Sequence, residues 1–421
     1  MLFLFQRYVQ PSWYFNRLPE GQPGTPVLPG QNEAVYRGLL LGRRWEVPPH
    51  ETVRDPEANY RFLRRYFHPA WGVYAWILRI LSGHWRPRGF RAFRRSFREK
   101  RLDLYGNTHQ PPPPAALRET PAVSIILPTL NRYYCLKDAL KDLERQDYPA
   151  FELIVVDQSE PFRPDFYAAF DLPLRLIRQE EKALWQARNT GIRAAKYDLL
   201  LFYDDDSRVA ADWMRRHVQG LFAFGADLSA GVSVSRLDKE LPGPYRLFRP
   251  ADQLDTGNVL IRRRVFERVG LFDQQFEGQR MGDGEFGFRA FLAGFRSVSN
   301  PLARRYHLKA GSGGLRQMGS WDAFRPRKWL APRPLPSVTY FYRRYLGNDL
   351  ARWALLKGVL PALLPYRYKR SHWLRLGGAL LAIICSPVLA FQLWRSWQAG
   401  GHKLAEGPKI DRIEIRTPTQ Q

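Results

Sequence analysis

The stretch LLLFYDDDSRVAADWM, Leu199–Met214, joins an apolar run to three consecutive carboxylates, Asp204, Asp205 and Asp206. Adjacent carboxylates repel one another, so a fold brings them together only where a cation, a basic neighbourhood or full exposure compensates. A solvated acidic turn is the simplest interpretation of the triplet taken alone. The sequence on either side decides between that turn and a binding site.

Segments with strand and helix character alternate on both sides of the triplet. Four buried strands are predicted: AVSIILP (122–128), FELIVVD (151–157), LPLRLIRQ (172–179) and DLLLFYD (198–204). Helices are predicted for YYCLKDALKDLERQ, WQARNTGIRAAK and ADWMRRHVQGLFAFG. This alternation predicts an α/β fold with a mostly parallel central sheet covered by helices. Because ligands bind beyond the carboxyl ends of such strands, the triplet is expected in the crevice of the sheet.

Length, charge and cysteine content limit the class of protein. With 421 residues, 45% of them apolar, the chain has ample material for a core, which excludes wholesale disorder. A net charge of +25 indicates an anionic partner, either nucleic acid, an anionic membrane or a phosphorylated substrate. Cys135 and Cys385 are the only cysteines, which suits a reducing compartment, and the apolar opening is too short for a secretory signal. The catalytic part is therefore expected to be cytoplasmic.

Composition divides the chain into four regions. Residues 1–110 are basic and rich in aromatic side chains, and residues 111–120 belong to a proline-rich linker. Residues 121–310 contain the alternating strands and helices. The final region, 311–421, includes an apolar segment at 376–394, which is a candidate membrane segment with a basic flank before it. A buried helix in a soluble domain is the alternative interpretation of that segment.

The basic and aromatic stretch from Trp71 to Arg101 fits two kinds of partner. Interleaved arginines and aromatic rings occur in nucleic-acid-binding proteins and in segments that lie on anionic lipid. The stretch contains no recognisable nucleic-acid motif, so an anionic membrane surface is the favoured partner and no nucleic acid is expected.

Three blocks in this order resemble a family 2 glycosyltransferase of the GT-A fold, the fold of nucleotide-diphospho-sugar transferases. They are VSIILPTLNRYYCLKDALKDLERQDYPAFELIVVDQS, LWQARNTGIRAAKYDLLLFYDDDSRVAADWM and GNVLIRRRVFERVGLFDQQFEGQRMGDGEFGFRAFLAG. The resemblance covers about Ala122 to His307, under half of the chain. It implies a GT-A fold to which helical N- and C-terminal regions are added.

The resemblance also implies a nucleotide-diphosphate sugar as donor and a divalent cation, Mn²⁺ or Mg²⁺, as cofactor. Such a cation neutralises the diphosphate leaving group, and hard carboxylate oxygens select it. The triplet matches the DXD motif of the family, which implies that Asp206 contacts the metal. Asp204 is expected near the ribose or donor sugar and is a second metal candidate. Asp205 is assigned to the donor site without a direct contact, and its side chain is expected to turn outward. His307 is a further candidate ligand, and a structural histidine is its alternative.

The donor site implied by the resemblance extends over several loops. It comprises Pro128, Thr129, Asn131, Asp157, Gln158, Arg188, Asn189, Gly257 and Asn258. Gln158 stands where family members often carry an acidic residue; its amide can still bond a base edge, so the nucleobase stays open. Arg188 is expected to pair with phosphate, and a solvated helix surface is the alternative.

The block GDGEFGFR, Gly282–Arg289, is similar to the family block that supplies the catalytic base. An inverting transfer needs one carboxylate to take the proton of the acceptor hydroxyl as its oxygen attacks the anomeric carbon. Asp283 occupies the matching position and Glu285 is the alternative. Many relatives carry a Glu just before this aspartate, where this chain has Gly282.

These expectations combine into one function: an inverting, metal-dependent glycosyltransferase at the cytoplasmic face of the cell membrane. Its acceptor is expected to be lipid-linked or a glycan, in cell-surface polysaccharide or glycolipid biosynthesis. Two rivals remain at this level, a basic nucleic-acid-binding protein and a catalytically inactive GT-A scaffold at the membrane.

Overall fold

The computed structural model describes residues 56–66, 69–81, 86–100, 120–235, 243–246, 248–251, 254–310, 314, 323–324, 326, 328–362, 381 and 384–415. Of the proline-rich linker predicted at 111–120, residues 111–119 lie outside the described residues. The same holds for residues 376–380 and 382–383 of the candidate membrane segment.

One mixed sheet organises the described part of the chain. Its strands are β1 (Val123–Thr129), β2 (Phe151–Asp157), β3 (Leu174–Arg178), β4 (Leu199–Tyr203), β5 (Ser207–Val209), β6 (Leu228–Ser235), β7 (Arg249–Pro250), β8 (Asn258–Arg262) and β9 (Ser297–His307). Their spatial order is β3-β2-β1-β4-β8-β6-β9-β5, and β7 pairs with β9. The four predicted strands match β1 to β4 within two residues at each end.

The strand directions confirm an α/β fold with a mostly parallel sheet. Neighbours among β1 to β4 are parallel, and β6 and β9 run in the same direction as β1. The strands β8, β5 and β7 run the opposite way. These antiparallel strands, which follow the triplet in sequence, are not among the predicted elements.

Helices cover both faces of the sheet. In the first half they are α4 (Tyr133–Glu144), α5 (Leu184–Ala194) and α6 (Trp213–Ala223), and three helices precede the sheet in sequence, α1 (Pro56–Tyr66), α2 (Ala70–Leu81) and α3 (Pro87–Ser96). Those that follow are α7 (Arg263–Val269), α8 (Gly282–Leu292), α9 (Pro336–Ala362), with a kink at Gly347, and α10 (Ser386–Glu406). Because side chains alternate along a strand, β1 and β4 each contribute apolar side chains to both layers of the core. One layer packs against α5 and α7–α9, and the other against α4 and α6.

The described parts of the terminal regions are mainly helical. Helices α1 to α3 contact one another through aromatic rings, with Trp76 stacked on Phe93 at a centroid distance of 5.1 Å. Helix α10 packs along α9, and the second half of the candidate membrane segment forms its first turns. Among the described residues, no helix combines the length and apolar character needed to cross a membrane.

Candidate functional site

The predicted site residues converge at the carboxyl ends of β1, β2 and β4. Parallel pairing sets Thr129 opposite Asp157, and β4 ends at Tyr203, directly before the triplet. The antiparallel register of β5 and β9 then sets Ser207 opposite His307. A histidine 101 residues further along the chain thus lies beside Asp206, with 3.3 Å between its Nε2 and Oδ1 of the carboxylate.

Asp204 is held between two buried arginines. Arg188 Nη2 lies 2.9 Å from Oδ1 of Asp204, and Arg305 Nη1 lies 2.8 Å from Oδ2. Burial alone would raise the pKa of Asp204, but Arg305 and Arg188 hold it well below its usual range. Both oxygens of this carboxylate already accept hydrogen bonds from cations. The metal-ligand role of Asp204 stays a prediction, and it requires one of these arginine contacts to give way.

Asp205 points back into the protein. Its oxygens accept hydrogen bonds from Thr129 Oγ1 at 2.8 Å and from Arg132 Nη1 at 3.1 Å. Burial and the neighbouring charge of Asp206 raise the pKa of Asp205 to about 6, although Arg132 opposes the shift. Asp205 thus joins the end of β1 to the triplet, and its side chain is buried rather than turned outward as predicted.

Asp206 is the carboxylate of the triplet that faces His307. Arg132 Nη1 lies 3.3 Å from its Oδ2, and the backbone N–H of Ala310 donates to the same oxygen at 3.2 Å. Burial would raise the pKa of Asp206, yet the hydrogen bond and charge of His307 hold it below the ordinary value. Cationic groups therefore surround the whole triplet, which explains how three adjacent carboxylates coexist at a buried position.

Arg305 and Asp255 belong to this cluster and are absent from the predicted site. Arg305 is 2% exposed; besides Asp204 it donates to both oxygens of Asp255, at 2.9 and 2.7 Å, and to the carbonyl of Gly257 at 2.9 Å. A Cβ at Gly257 would lie 2.0 Å from Asp204 Oδ2, so this position needs glycine, as its predicted close approach to the site implies. The basic run RRYH is the available sequence signal, but it does not reveal which arginine turns inward.

The loops after β1 and β2 form the wall predicted to hold the nucleobase. Asp157 is fully buried and accepts hydrogen bonds from Tyr133 Oη at 2.6 Å, Tyr167 Oη at 2.8 Å and the N–H of Ser159 at 2.8 Å. Its carboxylate supports the wall, whereas the sequence predicted direct donor contact. Gln158 accepts from the N–H of Ala183 at 2.7 Å, and its buried Nε2 has no hydrogen-bond partner among the described residues.

Asn131 and the strand-end Pro128 lie in the same wall. Asn131 adopts a left-handed backbone with φ of 55°, and its Oδ1 accepts from the N–H of Glu160 at 2.8 Å. Its own N–H donates to Ser159 Oγ at 2.7 Å. Pro128 pairs with Val156 in the ladder between β1 and β2. These contacts fix the two loops to each other.

Two predicted donor contacts, Asn189 and Asn258, are used within the protein. The amide of Asn189 exchanges two hydrogen bonds with the backbone of Phe272, at 2.9 and 3.0 Å. The amide oxygen of Asn258 accepts from Trp213 Nε1 at 2.8 Å and lies 3.0 Å from His217 Nε2. Both side chains are fully buried, so they brace the elements around the site rather than face the donor.

Asp283 and Glu285, the two base candidates, occupy different environments at the start of α8. Asp283 is half-buried, and the interaction that the structure shows for its carboxylate is a hydrogen bond from the N–H of Gly284 at 2.8 Å. Burial and the charge of Asp255 raise the pKa of Asp283, which makes the carboxylate a better proton acceptor. Gly282 is required because a Cβ there would lie 2.3 Å from the ring of Trp185.

Glu285 is fully buried and bound by α9. Arg289 Nε donates to its Oε1 at 3.0 Å, Tyr345 Oη donates to the same oxygen, and Arg344 Nη1 lies 3.6 Å away. A carboxylate so enclosed is not accessible to an acceptor hydroxyl. These contacts favour Asp283 over Glu285 as the base and give Glu285 a role in joining α8 to α9.

Asp206 and His307 are the two predicted metal ligands that the structure brings into contact. No group of three or more His, Cys, Asp or Glu side chains suited to holding a metal occurs in the described ranges. One carboxylate and one imidazole still fit Mn²⁺ or Mg²⁺, because Mg²⁺ in phosphate sites takes one or two carboxylates and completes its shell with phosphate oxygens and water.

Comparison with known proteins gives a family match that overlaps the part of the chain that carries the site. Residues 124–292 match the family model described as Glycosyl transferase family 2. Glycosyltransferase AglE of Haloferax volcanii is 28% identical over 193 residues, 42% of this chain and 63% of the relative. The succinoglycan biosynthesis protein ExoO of Rhizobium meliloti is 29% identical over 226 residues, 47% of this chain and 64% of the relative.

A solved structure of S. aureus TarS 1-349 in complex with UDP-GlcNAc has a TM-score of 0.46 and 17% identity, covering 66% of this chain and 81% of that chain. The chain spans under two thirds of the length of the two curated relatives.

Proposed function

Because the chain carries a family 2 glycosyltransferase domain at residues 124–292, we propose that it transfers a sugar from a nucleotide-diphosphate donor to an acceptor hydroxyl. The proposal depends on one observation, that two carboxylates of the site lie in surroundings suited to different chemical tasks. Asp206 lies beside His307 at the ends of the parallel strands, while Asp283 stands half-buried at the start of α8. The first suits a diphosphate bound with a cation, and the second suits proton abstraction.

Two buried N–H groups that lack a hydrogen-bond partner within the described part of the chain support the binding of a nucleotide. The Nε of Arg188 and the Nε2 of Gln158 are buried and have no hydrogen-bond partner among the residues described. Leaving a buried hydrogen-bond donor unpaired costs about 1–3 kcal/mol, so these two groups are expected to gain partners when the nucleotide sugar binds. Arg188 would pair with a phosphate oxygen and Gln158 with the edge of the base.

Mn²⁺ or Mg²⁺ would be held by Asp206 and His307, with the diphosphate completing its coordination. When bound, such an ion neutralises the negative charge that grows on the leaving diphosphate. The residues of the chain do the rest: Arg188 and Arg305 fix Asp204, and Arg132 fixes Asp205 against β1. The site is thereby held in place before the donor arrives.

Asp283 would act as the base of an inverting transfer. Its raised pKa gives it a stronger affinity for the proton of the acceptor hydroxyl than an ordinary aspartate has. Glu285, two residues later, is tied to Arg289 and Tyr345 and holds α8 in place.

We place the reaction in cell-surface polysaccharide or glycolipid biosynthesis, with a lipid-linked or glycan acceptor. The name of the relative ExoO, a succinoglycan biosynthesis protein, supports this class of product. The net charge of +25 supports work at an anionic membrane, and we propose the cytoplasmic face of the cell membrane as its location.

A panel of nucleotide sugars tests the proposal without knowledge of the acceptor. The full chain is incubated with each donor in the presence of Mn²⁺, Mg²⁺ or a chelator, and release of the free nucleoside diphosphate is measured. We expect release from one donor class, dependent on the metal. An absence of release with every donor, together with salt-sensitive RNA binding or with membrane binding alone, would favour one of the two rivals.

A further inference from the structure

An exposed apolar surface is formed by residues of α10, of the turn before it and of the loop before α9. We call it the aromatic patch and define it as Trp329, Leu330, Ile384, Phe391 and Trp394. Trp329 is 60% exposed and Trp394 is 56% exposed. Large aromatic side chains so exposed and so close together usually mark a surface that binds something.

Direct contacts tie the loop that carries Trp329 and Leu330 to α10. The amide of Gln392 donates to the carbonyl of Trp329, and Arg395 Nη1 donates to the carbonyl of Leu330 at 2.8 Å. The rings of Phe391 and Trp394 stack at a centroid distance of 6.0 Å. The loop and the helix are therefore locked together, and their apolar side chains face outward on a rigid support.

The opposite face of α10 is buried in the protein. Leu389, Ser396 and Gly400 are covered, and Ser396 Oγ lies 2.6 Å from Thr339 Oγ1 of α9. A Cβ at Gly400 would lie 2.8 Å from Thr339, which shows how closely the two helices approach. One face of helix α10 is thus packed on α9, and the other face is exposed.

The surroundings of the patch are cationic. Lys328 and Arg395 are exposed directly beside Trp329 and Trp394. From residue 351 to residue 405 the sequence contains no Asp or Glu, while it contains Arg367, Lys369, Arg370 and Arg375 in the stretch before α10. An aromatic surface bordered by Lys328 and Arg395, on a helix whose sequence has no acidic residue before Glu406, complements the interfacial zone of an anionic bilayer.

We propose that the aromatic patch docks the protein on an anionic phospholipid bilayer. Phe391, Trp394 and Trp329 enter the boundary between headgroups and acyl chains, and Lys328 and Arg395 contact lipid phosphates. The helix lies on the membrane rather than across it, because its other face is packed against α9. The inference rests on the membrane location proposed above, but the patch shares no residue with the donor site, so failure of vesicle binding and failure of sugar transfer are distinguishable.

The test is co-sedimentation of the full chain with preformed vesicles. Binding is compared between phosphatidylcholine vesicles and vesicles that also contain phosphatidylglycerol, at low and high salt. We expect stronger binding to the anionic vesicles, weakened by salt. The variant Phe391→Ser/Trp394→Ser should bind at least about tenfold more weakly, since each exposed aromatic loses its apolar burial in the bilayer.

Matched controls separate the patch from general effects. Phe222→Ser alters a ring on α6 that is 42% exposed, close to the 44% of Phe391, and should bind vesicles like the unaltered chain. Lys328→Glu should weaken binding several-fold, whereas Lys141→Glu on α4 should not.

Three results would overturn the proposal. The first is failure of the unaltered chain to bind anionic vesicles at low salt, and the second is equal binding by the double variant. The third is self-association of the lipid-free chain that the double variant abolishes while vesicle binding persists. That last result would assign the patch to a second copy of the chain.

Discussion

Asp204 and Asp206 are two residues apart, yet they are suited to different work because of what their oxygens already contact. Asp204 accepts hydrogen bonds from Arg188 and Arg305, whereas Asp206 contacts His307, Arg132 and the N–H of Ala310. The sequence predicted the triplet and its position at a strand end. It could not assign the two roles, because Arg305 lies 101 residues after Asp204 and reaches it through the pairing of β9 with β5 and β6.

The variant Asp206→Asn tests the role of that carboxylate. We expect it to abolish transfer and to remove the metal dependence of donor binding, because an amide is a much weaker ligand for a hard cation. Donor affinity measured by calorimetry with and without Mn²⁺ gives the readout. Asp198→Asn, at the other end of β4 with a side chain 83% exposed, is the matched control and should behave like the unaltered chain. Unchanged turnover of Asp206→Asn in saturating Mn²⁺ would remove Asp206 from the metal site.

The pH dependence of the reaction follows from Asp283. Its carboxyl must be ionised to accept a proton, and burial together with Asp255 raises its pKa. We therefore expect kcat/KM for the acceptor to rise with pH through an apparent pKa above about 3.9, the ordinary value for aspartate. The variant Asp255→Asn should shift this acid limb to lower pH by removing one cause of the raised pKa. A rate that stays constant down to pH 4 would contradict the role of Asp283.

At the scale of elements, α8 shows what a sequence pattern leaves open. The block GDGEFGFR contains two carboxylates two residues apart, and the local sequence does not show which of them is the base. Helix α9 distinguishes the two, since Arg344 and Tyr345 enclose Glu285 while Asp283 stays accessible. Long, apolar strands such as β1 and β4 were predictable from local pattern. The shorter and more polar β5 and β7 were not, because their pairing with β9 depends on contacts between distant residues.

Glu285→Gln tests the link between α8 and α9. Removing one partner of a buried ion pair leaves the cations without compensation and typically costs about 3–5 kcal/mol. We expect the free energy of unfolding, measured in urea, to fall by about 3 kcal/mol, with donor affinity retained in the folded protein. Asp283→Asn is the control and should change stability little, because its carboxylate takes part in no ion pair in the described structure. A fully stable Glu285→Gln that had lost all transfer would return Glu285 to the list of base candidates.

At the scale of the whole molecule, the C-terminal residues are part of the domain that carries the site. The N–H of Leu271 donates to the carbonyl of Asp411 at 2.8 Å, and that of Gln274 to the carbonyl of Lys409 at 3.1 Å. Asp273, fully buried on its side chain, accepts from Tyr340 Oη of α9 and from the N–H of Lys409. Residues 311–421 were predicted to form a separate region on the basis of composition, which does not reveal such contacts.

A chain that ends at Tyr366 tests this integration. It lacks α10 and the segment that bonds Leu271 and Gln274, so we expect a lower melting temperature or loss of soluble folded protein. Thermal unfolding followed by circular dichroism gives the measurement. Asp411→Ala, which removes one exposed ion pair with Arg193, is the control and should cost at most about 1 kcal/mol. A truncated chain as stable as the full chain would show that the catalytic domain folds without its C-terminal part.

The central claim is that Asp283 removes the proton of the acceptor while the strand-end cluster binds the donor. The most direct test is a steady-state comparison of Asp283→Asn with the unaltered chain, in which kcat and the KM for the donor are measured together. We predict a fall in kcat of roughly 10²–10⁴-fold with a donor KM within about twofold of the unaltered value. A near-normal kcat would contradict the claim.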